Sequence, residues 1–167
     1  IKIENFNVTI DKAASLLDYD KLKKAFNLNN FNNILEIGAG SGRTSEVILS
    51  INNIKNYIIC DIPPATYISY QRLKKAFPEK KISLLIDVEE KNKLIDQINS
   101  NDISFIYPHQ LELINKSYID LVIAIDCFHE MDKKTINFYF NNINNISKNL
   151  YFSIWKKTKN FHSKTFF

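Results

Sequence analysis

Glycine is the scarcest informative residue in this chain. Among 167 residues there are three glycines, and all three lie in one stretch, Gly38-Ala39-Gly40-Ser41-Gly42. The turns elsewhere are built without glycine, so its use here is specific to this loop. Other shortages exclude whole classes of protein. Two cysteines, Cys60 and Cys127, are too few for a disulfide scaffold and read as two buried thiols. No apolar run approaches the length of a membrane-spanning helix, and no secretory signal pattern opens the chain, so a cytoplasmic location is expected. The net charge of +4 is mild and the lysines are dispersed, unlike the concentrated basic patch of a nucleic-acid binder. There is no phosphate-binding G-K-[ST] loop and no G-x-S-x-G nucleophile elbow. No group of His, Cys and acidic residues has metal-ligand spacing, so no metal site is expected.

What remains is patterned as alternating strands and helices. Asn33–Ile37 reads as a short buried strand, the glycine stretch as a loop, and Arg43–Ser50 as a helix. Tyr57–Cys60, Ile103–Tyr107 and Ile119–Ile125 read as further core strands, and a fifth is expected from Leu150 to Trp155. Residues 82–86 fit either a short strand or an excursion. Helices are expected over Ala65–Phe77, Asp87–Asn101 and Lys133–Ser147, with one or two more in residues 11–27 ahead of the sheet. In that first segment Ala14, Leu17, Leu22, Ala25 and Phe26 are the apolar positions, and in the second helix Tyr67, Tyr70, Leu73 and Phe77. The expected architecture is α/β, a Rossmann-like doubly wound and mostly parallel sheet with flanking helices. Residues 1–30 read as an N-terminal helical segment and residues 31–167 as the cofactor-binding domain. The chain has no initiator methionine and stops soon after the fifth expected strand, so it reads as a fragment of a longer one.

In such sheets ligands sit beyond the C-terminal ends of the strands. Those ends carry Gly38–Gly42, then Asp61, then Pro108-His109-Gln110, then Asp126-Cys127-Phe128-His129. The dinucleotide fingerprint G-x-G-x-x-G fails here because Arg43 stands at its third glycine, which disfavours a nicotinamide-dependent oxidoreductase. The spacing found is Glu36-x-Gly38-x-Gly40-x-Gly42, with Ala39 between the first two glycines. Close backbone approach suits a ribose and a compact zwitterion, and Glu36 could supply a carboxylate near a cationic end. Asp61 follows the loop by about 20 residues, the distance at which an acid accepts hydrogen bonds from ribose hydroxyls. Ile62 could stack on a base, with Gln110, His109 or nearby backbone reading the base edge. Asp126 and Cys127 would face the other end of the ligand. His129 is the candidate proton acceptor, although it could equally cap the helix that follows.

Glu36-Ile37-Gly38-Ala39-Gly40-Ser41-Gly42-Arg43, Cys60-Asp61-Ile62-Pro63-Pro64 and Phe128-His129-Glu130-Met131 together resemble the sugar O-methyltransferase family of bacteria, associated with surface-polysaccharide biosynthesis. The Asp-Ile-Pro-Pro tetrad is the more specific element, since the glycine motif is shared by very many methyltransferases. The resemblance runs from about Ile10 to Trp155. It implies S-adenosylmethionine as the methyl donor, bound by residues 31–167, and a sugar hydroxyl or glycan precursor as acceptor. Two departures stand beside it: the family often has Ser-Phe-x-Glu-Met where this chain has Asp126-Cys127-Phe128-His129-Glu130-Met131, and its closing β-hairpin is not evident after Lys157. A methyltransferase for another small molecule, or a nucleoside-binding remnant without catalysis, fits the same residues.

Overall fold

The computed structural model describes residues 9–154 and the backbone of residues 2, 3, 6 and 7. A two-residue antiparallel pair, β1 (Lys2–Ile3) and β2 (Phe6–Asn7), precedes the helix α1 (Ile10–Ala25). The chain then runs through β3 (Asn33–Ile37), α2 (Arg43–Ile51), β4 (Asn56–Cys60), α3 (Ala65–Ala76) and β5 (Ile82–Leu84). It continues through α4 (Lys91–Asn99), β6 (Ile103–Ile106), β7 (Leu121–Ile125), α5 (Lys133–Ile146) and β8 (Leu150–Ser153). The last six strands form one sheet in the order β5-β6-β4-β3-β7-β8, every neighbouring pair parallel. Trp155, Lys157 and His162 lie outside the described residues.

The sheet is covered on both faces, which is why its central strands are apolar without interruption. Leu35, Ile37, Ile58 and Cys60 point into the core shared with α4 and α5. Ile34, Tyr57 and Ile59 point into the core shared with α1, α2 and α3. The segment at 82–86 resolves as the outer strand β5, paired with β6 from Ile82↔Ile103 to Leu84↔Phe105.

Two helices bury the faces expected from apolar spacing only in part: Leu22 and Phe26 of the first segment and Tyr70, Leu73 and Phe77 of the second pack on the core, but other expected positions do not. In α1 the buried residues are Ser15, Tyr19 and Leu22, while Leu17 is 63% exposed. Arg43–Asp11 and Lys12–Glu46 ion pairs fasten its first turn to α2. In α3 the buried side chains are Thr66, Ser69 and Leu73, and Tyr67 is exposed. The cause is close packing: a Cβ added to Gly42 would stand 2.9 Å from the Ser69 Cβ, so α3 must offer small groups where it meets the start of α2.

Asp120, in the turn before β7, closes the opposite end of the sheet. Its Oδ2 accepts from the amides of Asn32 (2.9 Å) and Asn33 (3.0 Å), and its Oδ1 accepts from Lys148 Nζ (2.6 Å). Partial burial raises the carboxyl, but these partners outweigh it and hold Asp120 below its ordinary value of 3.8. A carboxyl lowered on folding stabilises the fold above that value and loses the contribution as pH falls through the folded-state value. Asp120→Asn should therefore cost about 1–2 kcal/mol at pH 7. In paired thermal melts the gap between native and variant should close on acidification from pH 6 to about pH 3.

Candidate functional site

The glycine loop leaves the sheet at its centre. β3 pairs with β4 on one side (Ile37↔Cys60) and β7 on the other (Ile37↔Ala124), so the residue after it lies between both strand ends. Gly38 donates its N–H to the Cys60 carbonyl at 2.9 Å, and Gly42 donates to the Ala39 carbonyl at 2.9 Å. All three glycines have positive φ: +69° at Gly38, +57° at Gly40 and +72° at Gly42. Their surroundings differ in a way that separates packing from binding. A Cβ at Gly38 would meet the Cys127 Cβ at 2.5 Å, and one at Gly42 would meet Ser69, whereas one at Gly40 has nothing within 4 Å. Gly38 and Gly42 are thus required by the protein's own packing. Gly40 presents bare backbone to open space, the surface a close-fitting ligand uses.

Asp61, just beyond β4, ties this loop to the next one. Its Oδ2 accepts from the Gly40 amide and its Oδ1 from the Ile62 amide, both at 2.7 Å. Burial raises the Asp61 carboxyl, and the two amide bonds pull against that rise. Each oxygen keeps a further lone pair, so the carboxylate can still accept from a pair of hydroxyls. Ile62 beside it is 59% exposed, an apolar surface at the mouth of the site. Across β6, His109 is exposed and its ring lies 6.3 Å from that of Tyr107.

Two expected ligand contacts turn inward. Gln110 is fully buried: its Oε1 accepts from the Tyr107 amide, and its Nε2 donates to the carbonyls of Leu85 and Val88, each at 2.7 Å. Its amide fastens the turn after β5 to the turn after β6, leaving no donor to read a base edge. Glu36 is 3% exposed and lies beneath the loop. It accepts hydrogen bonds from Ser45 Oγ and, at 2.7 Å, from Tyr57 Oη. Burial raises its carboxyl, and these two donors, one on α2 and one on β4, offset part of the cost. Glu36 therefore braces the loop from below through its Oε2.

On the β7 side, Asp126 takes a positive φ of +55° and donates its amide to the Ser153 carbonyl at 3.0 Å. Cys127 is 8% exposed and its thiol is pushed up to about 12 by burial, with the Glu36 and Asp61 carboxylates adding to the shift. It is a packing group against Gly38. His129 sits in a short 3-10 turn, Phe128–Glu130. Its Nε2 lies 3.8 Å from Glu130 Oε1, and its Nδ1 is buried with no hydrogen-bond partner among the described residues.

A cavity of about 100 Å³ opens beyond Ile62, lined by Pro63, Thr66, Tyr67, Leu84, Ile86 and Tyr107. Sequence reasoning did not identify Thr66 or this cavity. Thr66 is one turn past the Asp61-Ile62-Pro63-Pro64 tetrad, which was the available signal.

No family model matches the chain, and no curated protein matches it. Solved structures do match in fold. A SAM-dependent methyltransferase from Aquifex aeolicus superposes over 92% of this chain and 78% of its own, with TM-score 0.57 and 14% identity. The mitomycin 7-O-methyltransferase MmcR matches over 81% of this chain with TM-score 0.53 and 13% identity. A Nostoc punctiforme protein assigned as an O-methyltransferase matches over 82% with TM-score 0.52 and 14% identity. This chain spans about a third of the length of each of the latter two, 34% in both cases. The sheet and its flanking helices are therefore the Rossmann-like α/β fold of class I methyltransferases.

The glycines give a graded test. Gly40→Ala should cost about 1 kcal/mol, the strain of a left-handed alanine alone. Gly38→Ala adds a clash with backbone-near atoms of Cys127 and should cost about 3 kcal/mol or more. Denaturant melts should rank the two in that order, and only Cys127→Gly, which removes the clashing Cβ, should restore part of the Gly38→Ala loss.

Proposed function

We propose that this chain is an S-adenosylmethionine-dependent methyltransferase domain that methylates oxygen, with a sugar hydroxyl or glycan precursor as acceptor. The observation that carries the reading is the Asp61 carboxylate bonded to the open Gly40 backbone at the centre of a parallel sheet. The resemblance of the Asp61-Ile62-Pro63-Pro64 tetrad to the bacterial sugar O-methyltransferases supports the acceptor class. The names of the fold neighbours, methyltransferases and O-methyltransferases, support the reaction class. Residues 31–167 would carry the cofactor half, with α1 packed beside it.

The residues fit this donor. Gly40 leaves room for close approach, Asp61 can accept from the ribose 2′- and 3′-hydroxyls, and Ile62 offers a face for the base. Bound there, S-adenosylmethionine supplies a methyl group on a sulfonium carbon. The chain's own task is then alignment, since an in-line displacement needs the acceptor oxygen held at near-contact distance. Asp126 and Cys127 border the end of the cleft where that acceptor would enter. His129, through Nε2, is the group that would take the proton as a hydroxyl becomes the methylated oxygen.

Calorimetric titration with S-adenosylhomocysteine, with NAD as control, tests the donor. Selective binding of the former is expected. Asp61→Ala should weaken it by about 1–3 kcal/mol. Because burial raises the Asp61 carboxyl, affinity should also begin to fall on acidification before the ordinary aspartate value of 3.8 is reached. Unchanged affinity in a folded Asp61→Ala variant would overturn the ribose assignment. His129→Ala should keep cofactor affinity and lower methyl transfer to nucleotide sugars or oligosaccharides by about a hundredfold.

A further inference from the structure

We infer that β8 is a pairing edge for a second copy of this chain, which docks antiparallel across a two-fold axis at Phe152.

The ladder is open there. β8 ends the sheet on one side and β5 on the other. The carbonyls of Asn149 and Ser153 accept from the amides of Val122 (2.9 Å) and Asp126 (3.0 Å) on the β7 side. Backbone groups alternate in direction along a strand, so the N–H and C=O of Leu150 and Phe152 point away from β7. Sheet edges are commonly blunted by shortness, lysine or proline. β5 is protected in this way, being three residues long and preceded by Lys80 and Lys81. β8 and the following Ile154 carry neither charge nor proline.

The side chains on this edge are also uncovered. Phe152 is 43% exposed, Ile154 55% and Phe140 of α5 36%. The Phe152 ring lies 6.2 Å from Phe140 and 6.4 Å from the buried Phe128, which anchors the patch to the core. Beside it a groove of about 240 Å³ runs between α5 and the start of β8, with Phe140, Ile143, Lys148 and Leu150 in its walls. Lys148 is already paired with Asp120 at 2.6 Å, so filling the groove strands no charge.

A second copy is selected by the symmetry of the strand itself. Leu150, Phe152 and Ile154 alternate onto one face. Antiparallel pairing centred on Phe152 sets Leu150 opposite the partner's Ile154 and Phe152 opposite the partner's Phe152. Directly opposed residues share a face, so apolar meets apolar at all three positions. The exposed Ile154 of each copy is thereby brought to the groove beside Leu150 of the other. Such a contact is isologous and closes at two copies. Phe140, Phe152 and Ile154 together expose about 250 Å² per copy, against roughly 800 Å² that a stable interface buries on each side. The backbone edge and groove walls add to this, but the total stays at the low end, and the dimer is accordingly weak, with Kd on the order of 10 µM.

Sedimentation of the full chain from about 1 to about 200 µM tests the association. A monomer–dimer equilibrium is expected. Ile154→Lys places a charge against the partner's groove and should raise Kd about tenfold or more, with the melting temperature unchanged at low concentration. The register is tested separately by Phe152→Cys, since opposed residues stand about 5.5 Å apart at Cα, within disulfide reach. Under oxidised glutathione this variant should link two chains through residue 152, while Leu17→Cys on the exposed side of α1 should not. A dimer that Ile154→Lys leaves intact, or one that Phe152→Cys does not link, would overturn the inference. So would a monomer at every concentration, the result if residues 155–167 cover this edge, or growth beyond two copies.

Discussion

The hydrogen bond from the Gly40 amide to the Asp61 carboxylate holds the two halves of the site together. It joins the loop after β3 to the end of β4, and the second Asp61 oxygen secures the Ile62 amide in the same way. A buried carboxylate would be costly without such donors. With them, the acid is held between the loop and the start of the next turn. Around this contact stand the Gly40 backbone, with open space beside it, and the exposed Ile62.

Beneath the loop, the protein uses its polar residues as braces. Glu36 connects α2 to β4 through Ser45 and Tyr57, and Gln110 connects the turns after β5 and β6. Both are buried, Gln110 with its whole amide engaged and Glu36 with two donors on its Oε2. The glycines divide along the same line. Gly38 and Gly42 answer to close contacts with Cys127 and Ser69, and Gly40 answers to open space. The motif is therefore a packing device at Gly38 and Gly42 and an open stretch of backbone at Gly40.

The strand, glycine loop and helix of residues 33–51, the acid at Asp61 and the parallel alternation of elements were legible from residue pattern, because each depends on local chemistry. Continuous apolar runs bounded by turns mark strands buried on both faces, and glycine marks a backbone that must turn left-handed. The direction of side chains was less legible. Glu36 and Gln110 carry groups suited to a ligand, and one-dimensional order cannot say whether such a group meets the cleft or the interior. The burial of Ser15 and Tyr19 in α1, and of Thr66 and Ser69 in α3, escaped for a similar reason: which small or polar groups meet a neighbouring element, as Ser69 meets Gly42, is set by contacts between segments.

By itself, then, the sequence determined the α/β class, the place where the backbone is laid bare, and the acid that stands beside it. These are consequences of conformational preference and hydrophobic period, which act over a few residues. Only the tertiary structure decided that Glu36 and Gln110 are braces and that β5 is an outer strand. Those outcomes depend on contacts between segments tens of residues apart, where packing and hydrogen-bond satisfaction select among side-chain directions that local chemistry leaves equal.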